Sequence, residues 1–285
     1  MLRTIDYSLF SYDVPDYAGR FYTETAPVFD CARPFALYHE QRPRTAVLLI
    51  HGFSGYPGEV IRPAIDLYEA GFDCLAVRLP GHGTSGDDFI RSGARVWIAA
   101  AQAACEDLMG RYEQVYLVGH SMGGAIAVIL AARLKIGKVA LIAPAIVLRG
   151  TVWPVRLLRP FVRRIPTGWQ PNTDFDLYYE GAPRDDRAMG EQYWAYRYPG
   201  PVCELLDVMA VARKSAPEMD ADALVLFGTQ DISVDPVSAK IIGRLNRGLT
   251  TSVTIENGTH LLQYDKDYTV QAACVEECLK HFGTP

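Results

Sequence analysis

The chain reads as an α/β protein: a mostly parallel central sheet, helices on both faces, and one inserted segment. Three observations predict this. Short apolar runs recur that are continuous rather than alternating, as strands buried on both faces require. Longer Ala- and Leu-rich stretches separate them, and repeated β-α-β implies parallel pairing with crossover helices. The rhythm breaks once, from about Ala145 to about Ser215, then resumes into another core-like strand.

The elements follow in order. Ala46–Ile50 (AVLLI) is a strand, Arg62–Ala70 a helix stopped by Gly71, and Asp73–Leu79 (DCLAVRL) the next strand. Val96–Tyr112 is an Ala-rich helix, Val115–Val118 a strand and Met122–Leu134 a helix. Lys138–Ala143 is a strand. Beyond the break come strand Ala223–Phe227, helix Pro236–Leu245, strand Thr251–Ile255 and a closing helix, Asp267–His281. The residues before about 45 are expected to add antiparallel edge strands. Residues 1–144 and 216–285 would then form one core, and 145–215 an insertion. Three of the four tryptophans (Trp153, Trp169, Trp194) fall in it, with Tyr178, Tyr179, Tyr193, Tyr196 and Tyr198.

Composition narrows the class. With 49% apolar residues, 285 positions suffice for a large core. A net charge of -5 argues against a nucleic-acid partner. The opening MLRTIDYSLFSYDVPDY lacks a signal-peptide apolar core, and no run approaches the roughly 18 apolar residues of a membrane span. The six cysteines are scattered without C-x-x-C, and Cys274 and Cys278 have no zinc-like partner pair. Free, mostly buried thiols in a cytoplasmic protein are expected, with no metal and no cofactor.

The chemistry centres on YLVGHSMGGA, Tyr116 to Ala125. A strand precedes this G-x-S-x-G and a helix follows, the context in which a serine stands exposed on a strained turn. Gly119 and Gly123 would remove side chains that such a turn cannot hold, and Gly124, Ala125 and Ala127 would let the helix approach the strand. A lone hydroxyl is a poor nucleophile and needs a base. Of six histidines, His39 lies in an N-terminal strand candidate and His51 and His82 in glycine-flanked turns. His120 adjoins the serine but points elsewhere, and His281 is on the last helix. His260, in ENGTHLL between the last strand and helix, opens at the same sheet edge as Ser121 and is the best base. Its orienting carboxylate comes from TQDISVDP. Asp231 lies at the loop mouth, Asp235 before Pro236 suits a helix cap, and Asp207 is a distant third. The backbone amides of Phe53, in HGFSG, and Met122 would supply an oxyanion site.

HGFSG, LPGHGTS, GHSMGG, GTQD and GTH, with Ser, Asp and His in that order, resemble the α/β-hydrolases. RLPGHGTSGDDF, Val96–Trp97, DISVDPVSAK and NGTHLLQYDKD are similar to the bacterial carboxylesterase and monoacylglycerol lipase branch. The resemblance runs from about residue 44 to the end and is weak in the insertion. It implies an α/β-hydrolase fold, Ser121 as nucleophile, Asp231 as acid, His260 as base, Phe53 and Met122 as oxyanion donors, and a cap (lid) at 145–215. In the insertion, WPVRLLRPFVRRIP carries Val155, Leu158, Phe161, Val162 and Ile165 at roughly helical spacing, with four arginines. Such a segment can touch a lipid surface transiently; a lid helix packed on the core with solvated arginines is the favoured reading. The expected function is hydrolysis of carboxylic esters, short- to medium-chain acyl esters or monoacylglycerols, through an acyl-enzyme. Rivals are a carbon–carbon bond hydrolase on the same triad and a non-catalytic small-molecule binder on a hydrolase fold. Halide-removing and epoxide-opening relatives typically carry Asp where this chain has Ser121.

Overall fold

The computed structural model describes residues 5–150, 154–170 and 186–285; Trp153, Tyr178 and Tyr179 lie outside them. The elements run β1 (Phe35–Leu37), β2 (Thr45–Ile50), α1 (Ile61–Glu69), β3 (Asp73–Val77), α2 (Gly86–Arg91), α3 (Ala94–Met109), β4 (Gln114–His120), α4 (Met122–Arg133) and β5 (Lys138–Ile142). The insertion holds α5 (Val155–Leu158), β6 (Ile165–Pro166), α6 (Asp186–Met189), β7 (Tyr196–Arg197) and α7 (Pro199–Ser215). Then follow β8 (Asp222–Gly228), α8 (Val237–Leu245), β9 (Thr250–Ile255) and α9 (Tyr268–Phe282).

The seven-stranded sheet has the order β1-β3-β2-β4-β5-β8-β9. All neighbours pair in parallel except β1, which runs antiparallel to β3. This is the fold class read from the sequence. Strands β2 and β3 are buried at every residue, which is why they are continuous apolar runs. Two apolar layers sandwich the sheet. Leu48, Leu117, Leu141 and Val225 face α3, α4 and α7, while Leu49, Val118, Ala140 and Leu226 face α1 and α9.

Local differences from the sequence reading have physical causes. Among the described residues before 45, the expected antiparallel edge pairing is made by one strand, β1, with a bridge between Ser11 and Ala36 beside it. Strand β3 ends at Val77 because Arg78 turns to pair with Glu24 (2.6 Å) and the His82 carbonyl (2.9 Å). Strand β4 extends past Val118 through Gly119 and His120, which pair with Leu141 and Ile142 of β5. Helix α3 begins at Ala94, after extended Gly93, and ends at Met109 with Gly110 as its cap. The amphipathic stripe of the insertion does not form one helix. Helix α5 stops at Leu158, the chain turns before and after Pro160, and Phe161 is 86% exposed. Its arginines are solvated, as expected, and three also make surface ion pairs: Arg156 with Asp207 (2.7 Å), Arg159 with Glu204 (2.7 Å) and Arg163 with Asp87 (3.2 Å). Helix α7 joins the main core through Leu205, Val208, Met209 and Ala212.

Leu117, fully buried at the centre of β4, tests this core. Leu117→Ala should cost about 2–5 kcal/mol, read as a lower urea midpoint at unchanged slope.

Candidate active site

The C-terminal ends of β2, β4, β8 and β9 lie along one sheet edge, where ligands bind in open α/β folds. Ser121 sits between β4 and α4 with φ 53° and ψ -112°, a left-handed backbone that a serine rarely adopts. Its main chain is pinned on three sides. Its N–H donates to the Ile142 carbonyl (2.9 Å), and its carbonyl accepts from Ala145 (2.9 Å) and Ala125 (3.1 Å).

The glycines are sterically required. A Cβ on Gly123 would overlap the Ile50 carbonyl, and one on Gly119 would overlap the Gly123 carbonyl. A Cβ on Gly124 would stand 2.9 Å from the Pro144 side chain. Helix α4 therefore starts in contact with the ends of β2 and β5, which leaves the strained turn no alternative path.

His260 follows β9. Its Nε2 is 2.9 Å from Ser121 Oγ, and its Nδ1 is 2.9 Å from Asp231 Oδ2. An ionised carboxylate only accepts, so Nδ1 carries the proton and Nε2 is left to accept from the serine hydroxyl. Asp231 is buried and its other oxygen accepts from the Ser233 (2.7 Å) and Val234 (3.0 Å) amides. Burial opposes its charge, but the His260 hydrogen bond and these two amides hold its carboxyl below the usual range. Burial also lowers the His260 pKa, assisted by His120 and opposed by Asp231, so the ring is neutral at pH 7. The loops after β8 and β9 are interlocked. Gln230 N–H donates to the Gly258 carbonyl (2.8 Å), and a Cβ on Gly228 would overlap that same carbonyl.

Ser121, His260 and Asp231, singled out in the sequence, thus form one hydrogen-bonded chain. The other candidates lie elsewhere. Asp235 accepts from the Val237 amide (2.9 Å) at the start of α8, and Asp207 pairs with Arg156 on α5. His51 donates from Nδ1 to the Gly52 carbonyl (2.9 Å) and accepts the Leu79 amide at Nε2 (3.1 Å); burial lowers its pKa to about 4. His39 is bound to Asp73, His82 to the Pro80 carbonyl and His281 to the Asp222 carbonyl.

Phe53 and Met122 are related by register. Ile50 of β2 pairs with Gly119 of β4, and each of the two residues lies three positions beyond. Met122 opens α4, so its amide has no helical acceptor. Phe53 lies in a turn closed by Gly55 N–H to the Gly52 carbonyl (3.3 Å), and its ring packs on Phe89 and Trp97. The insertion covers this turn: Trp194 Nε1 donates to the Ser54 carbonyl (3.2 Å). Beside it, Tyr193 Oη accepts from Thr84 N–H (2.9 Å) and donates to the Gly81 carbonyl (2.9 Å). Sequence reasoning placed Trp194 only among the aromatics of the insertion and passed over buried Glu59, whose carboxylate accepts the Gly52 amide (3.0 Å). The available signal for Glu59 was a lone acid in the YPGEV stretch just after HGFSG.

Residues 47–272 match the Alpha/beta hydrolase family, and the chain belongs to it. The chain is 28% identical to a thermostable monoacylglycerol lipase of Bacillus sp. (strain H-257), across 92% of this chain and 98% of that one. A shorter stretch of 101 residues is 33% identical to a carboxylesterase of Bacillus subtilis (strain 168), covering 35% of this chain and 41% of the relative. Among solved structures, one from the metagenome-derived lipolytic enzymes LipS and LipT superposes with a TM-score of 0.74 at 23% identity, covering 89% of this chain and 98% of that one. The likeness to the carboxylesterase and monoacylglycerol lipase branch, read from the motifs, is borne out.

Gly123→Ala should abolish fluorophosphonate labelling of Ser121, because the new methyl meets main chain. Gly200→Ala, with open space around it, should label like wild type. The pH profile of labelling should show an acid limb centred below the ordinary histidine value of 6.5, since burial favours the neutral base. Asp231→Asn should move that limb lower still, by removing the partner that favours the imidazolium, and slow labelling by about 10⁴-fold.

Proposed function

We propose that the protein is a serine hydrolase of carboxylic esters that works through an acyl-enzyme. The observation that carries this reading is the hydrogen-bonded chain from Ser121 through His260 to Asp231 at a strained, main-chain-pinned serine. Ser121 Oγ attacks the ester carbonyl as His260 Nε2 takes its proton. Asp231 holds the Nδ1–H tautomer and stabilises the imidazolium. The Phe53 and Met122 amides receive the oxyanion, each worth about 3 kcal/mol of barrier. His260 then protonates the departing alcohol, and water repeats the sequence on the acyl-enzyme.

The substrates we favour are short- to medium-chain acyl esters and monoacylglycerols. Support comes from the name of the Bacillus sp. (strain H-257) relative, alignable over nearly its whole length. Residues 145–215 serve as the cap, with α7 as its root on the core and the stretch around Tyr193 and Trp194 resting on the loops of the site. Exposed Leu157 and Phe161 among arginines suit transient contact with a lipid surface. Among the described residues no helix is long and apolar enough to cross a membrane. Six buried cysteines without disulfides fit a cytoplasmic setting. No cofactor is required by this mechanism.

A series of p-nitrophenyl esters and monoacylglycerols of increasing acyl length tests the reading. Wild type should turn over with a maximum at short to medium chains, and Ser121→Ala should fall to background, a loss on the order of 10⁶-fold. Equal rates for the two proteins would refute it, and a flat length profile would remove its lipid part.

A further inference from the structure

Two buried side chains flank the Ser121–His260–Asp231 chain without belonging to it. Glu59 lies in the 3-10 turn Pro57–Val60, and His120 is the last residue of β4. Glu59 is 6% exposed and His120 2%. The Glu59 carboxylate accepts the Gly52 amide (3.0 Å), at the root of the turn that carries Phe53. The same oxygen stands 3.5 Å from His120 Nδ1. On its other side, His120 Nε2 is 3.0 Å from the main-chain carbonyl of His260.

Proton placement follows from these partners. A carbonyl only accepts, so His120 Nε2 carries a proton. A lone pair on Nδ1 would then face the carboxylate and repel it, and Nδ1 has no hydrogen-bond partner among the described residues. A second proton therefore belongs between the two groups. Burial pushes the Glu59 carboxyl up, but His120, His51 and the Gly52 amide together bring it below the usual range. Near this pair stand neutral His51, with Arg78 beyond it, Asp231, and His260, whose ring centroid is 5.0 Å from that of His120. The edge of Tyr264 completes the wall.

We propose that Glu59 and His120 are positioning residues: a buried strut that ties Gly52 of the HGFSG turn to the main chain of His260, holding donors and base in one register. The catalytic consequence rests on the serine-hydrolase reading above; the strut itself does not. A purely structural ion pair would show up in stability alone, and often weakly, because desolvation offsets its attraction. A positioning pair acts on kcat, because displacing a reacting group by about 1 Å can cost about 100-fold.

The experiment compares wild type with Glu59→Ala, His120→Ala, their double variant, His120→Gln and His120→Asn. Three readouts are taken: kcat and KM on one ester, the rate of fluorophosphonate labelling, and the titration of the His260 Cε1–H resonance. The single alanine variants should lose about 10- to 100-fold in kcat with KM nearly unchanged. The double variant should lose no more than the worse single, as one shared strut requires. Glutamine can place an amide N–H near the old Nε2 position and asparagine cannot, so His120→Gln should label faster than His120→Asn. His120→Gln should also raise the His260 titration midpoint, because His120 is one of the groups that lower it. Should the alanine variants fail to unfold cooperatively, the Gln and Asn pair decides the matter. Additive losses, or equal labelling by Gln, Asn and wild type with His260 titrating unchanged, would overturn the proposal. A wild type that neither labels nor hydrolyses esters defeats the serine-hydrolase reading instead, and the His260 titration still judges the strut.

Discussion

Gly123 lies against the carbonyl of Ile50, and the geometry of the site descends from that contact. Helix α4 starts so close to the end of β2 that no side chain fits between them. The chain leaving β4 must therefore reverse within one residue, and Ser121 takes a left-handed backbone to do it. Such strain costs on the order of 1–3 kcal/mol and persists only where surroundings over-determine it. Here they do: the Ile142 carbonyl and the Ala125 and Ala145 amides occupy both main-chain groups of the serine, and these partners belong to β5, to α4 and to the loop after β5. The stability of the sheet is thus spent holding one hydroxyl in place.

The rest of the site is arranged by sheet order. Strands β2, β4, β5, β8 and β9 are consecutive neighbours, so the loops bearing Phe53, Ser121, Asp231 and His260 leave from one edge. Asp231 and His260 lie far from Ser121 in sequence, yet each comes within a few residues of a strand end. The interlock of Gly228 with Gly258 brings their two loops together without help from the insertion.

Much of this was legible beforehand because parallel strands are buried on both faces and therefore read as uninterrupted apolar runs. Ser121 and Asp231 were legible because each follows such a run on a short loop, and His260 because it lies on the loop between the last strand, the more exposed edge strand β9, and the last helix. Other features were hidden for definable reasons. The last residues of β4 are Gly119 and His120, neither of which signals a strand, so the strand seemed to end early. The stripe in the insertion suggested a helix with a buried apolar side, but the turn at Pro160 throws Phe161 outward. Glu59 escaped because its meaning depends on His120, brought to it only by the tertiary fold. Hydrophobic patterning says which faces are buried and nothing about which buried polar groups meet.

Trp194 holds the carbonyl of Ser54, and Phe53 is the residue just before it in the same turn. The turn that carries Phe53 thus has one of its carbonyls held by an indole of the insertion. With the ring of Tyr56 also beside Trp194, the insertion and the HGFSG turn are joined by a hydrogen bond as well as by packing, so a substitution at Trp194 reaches that turn directly.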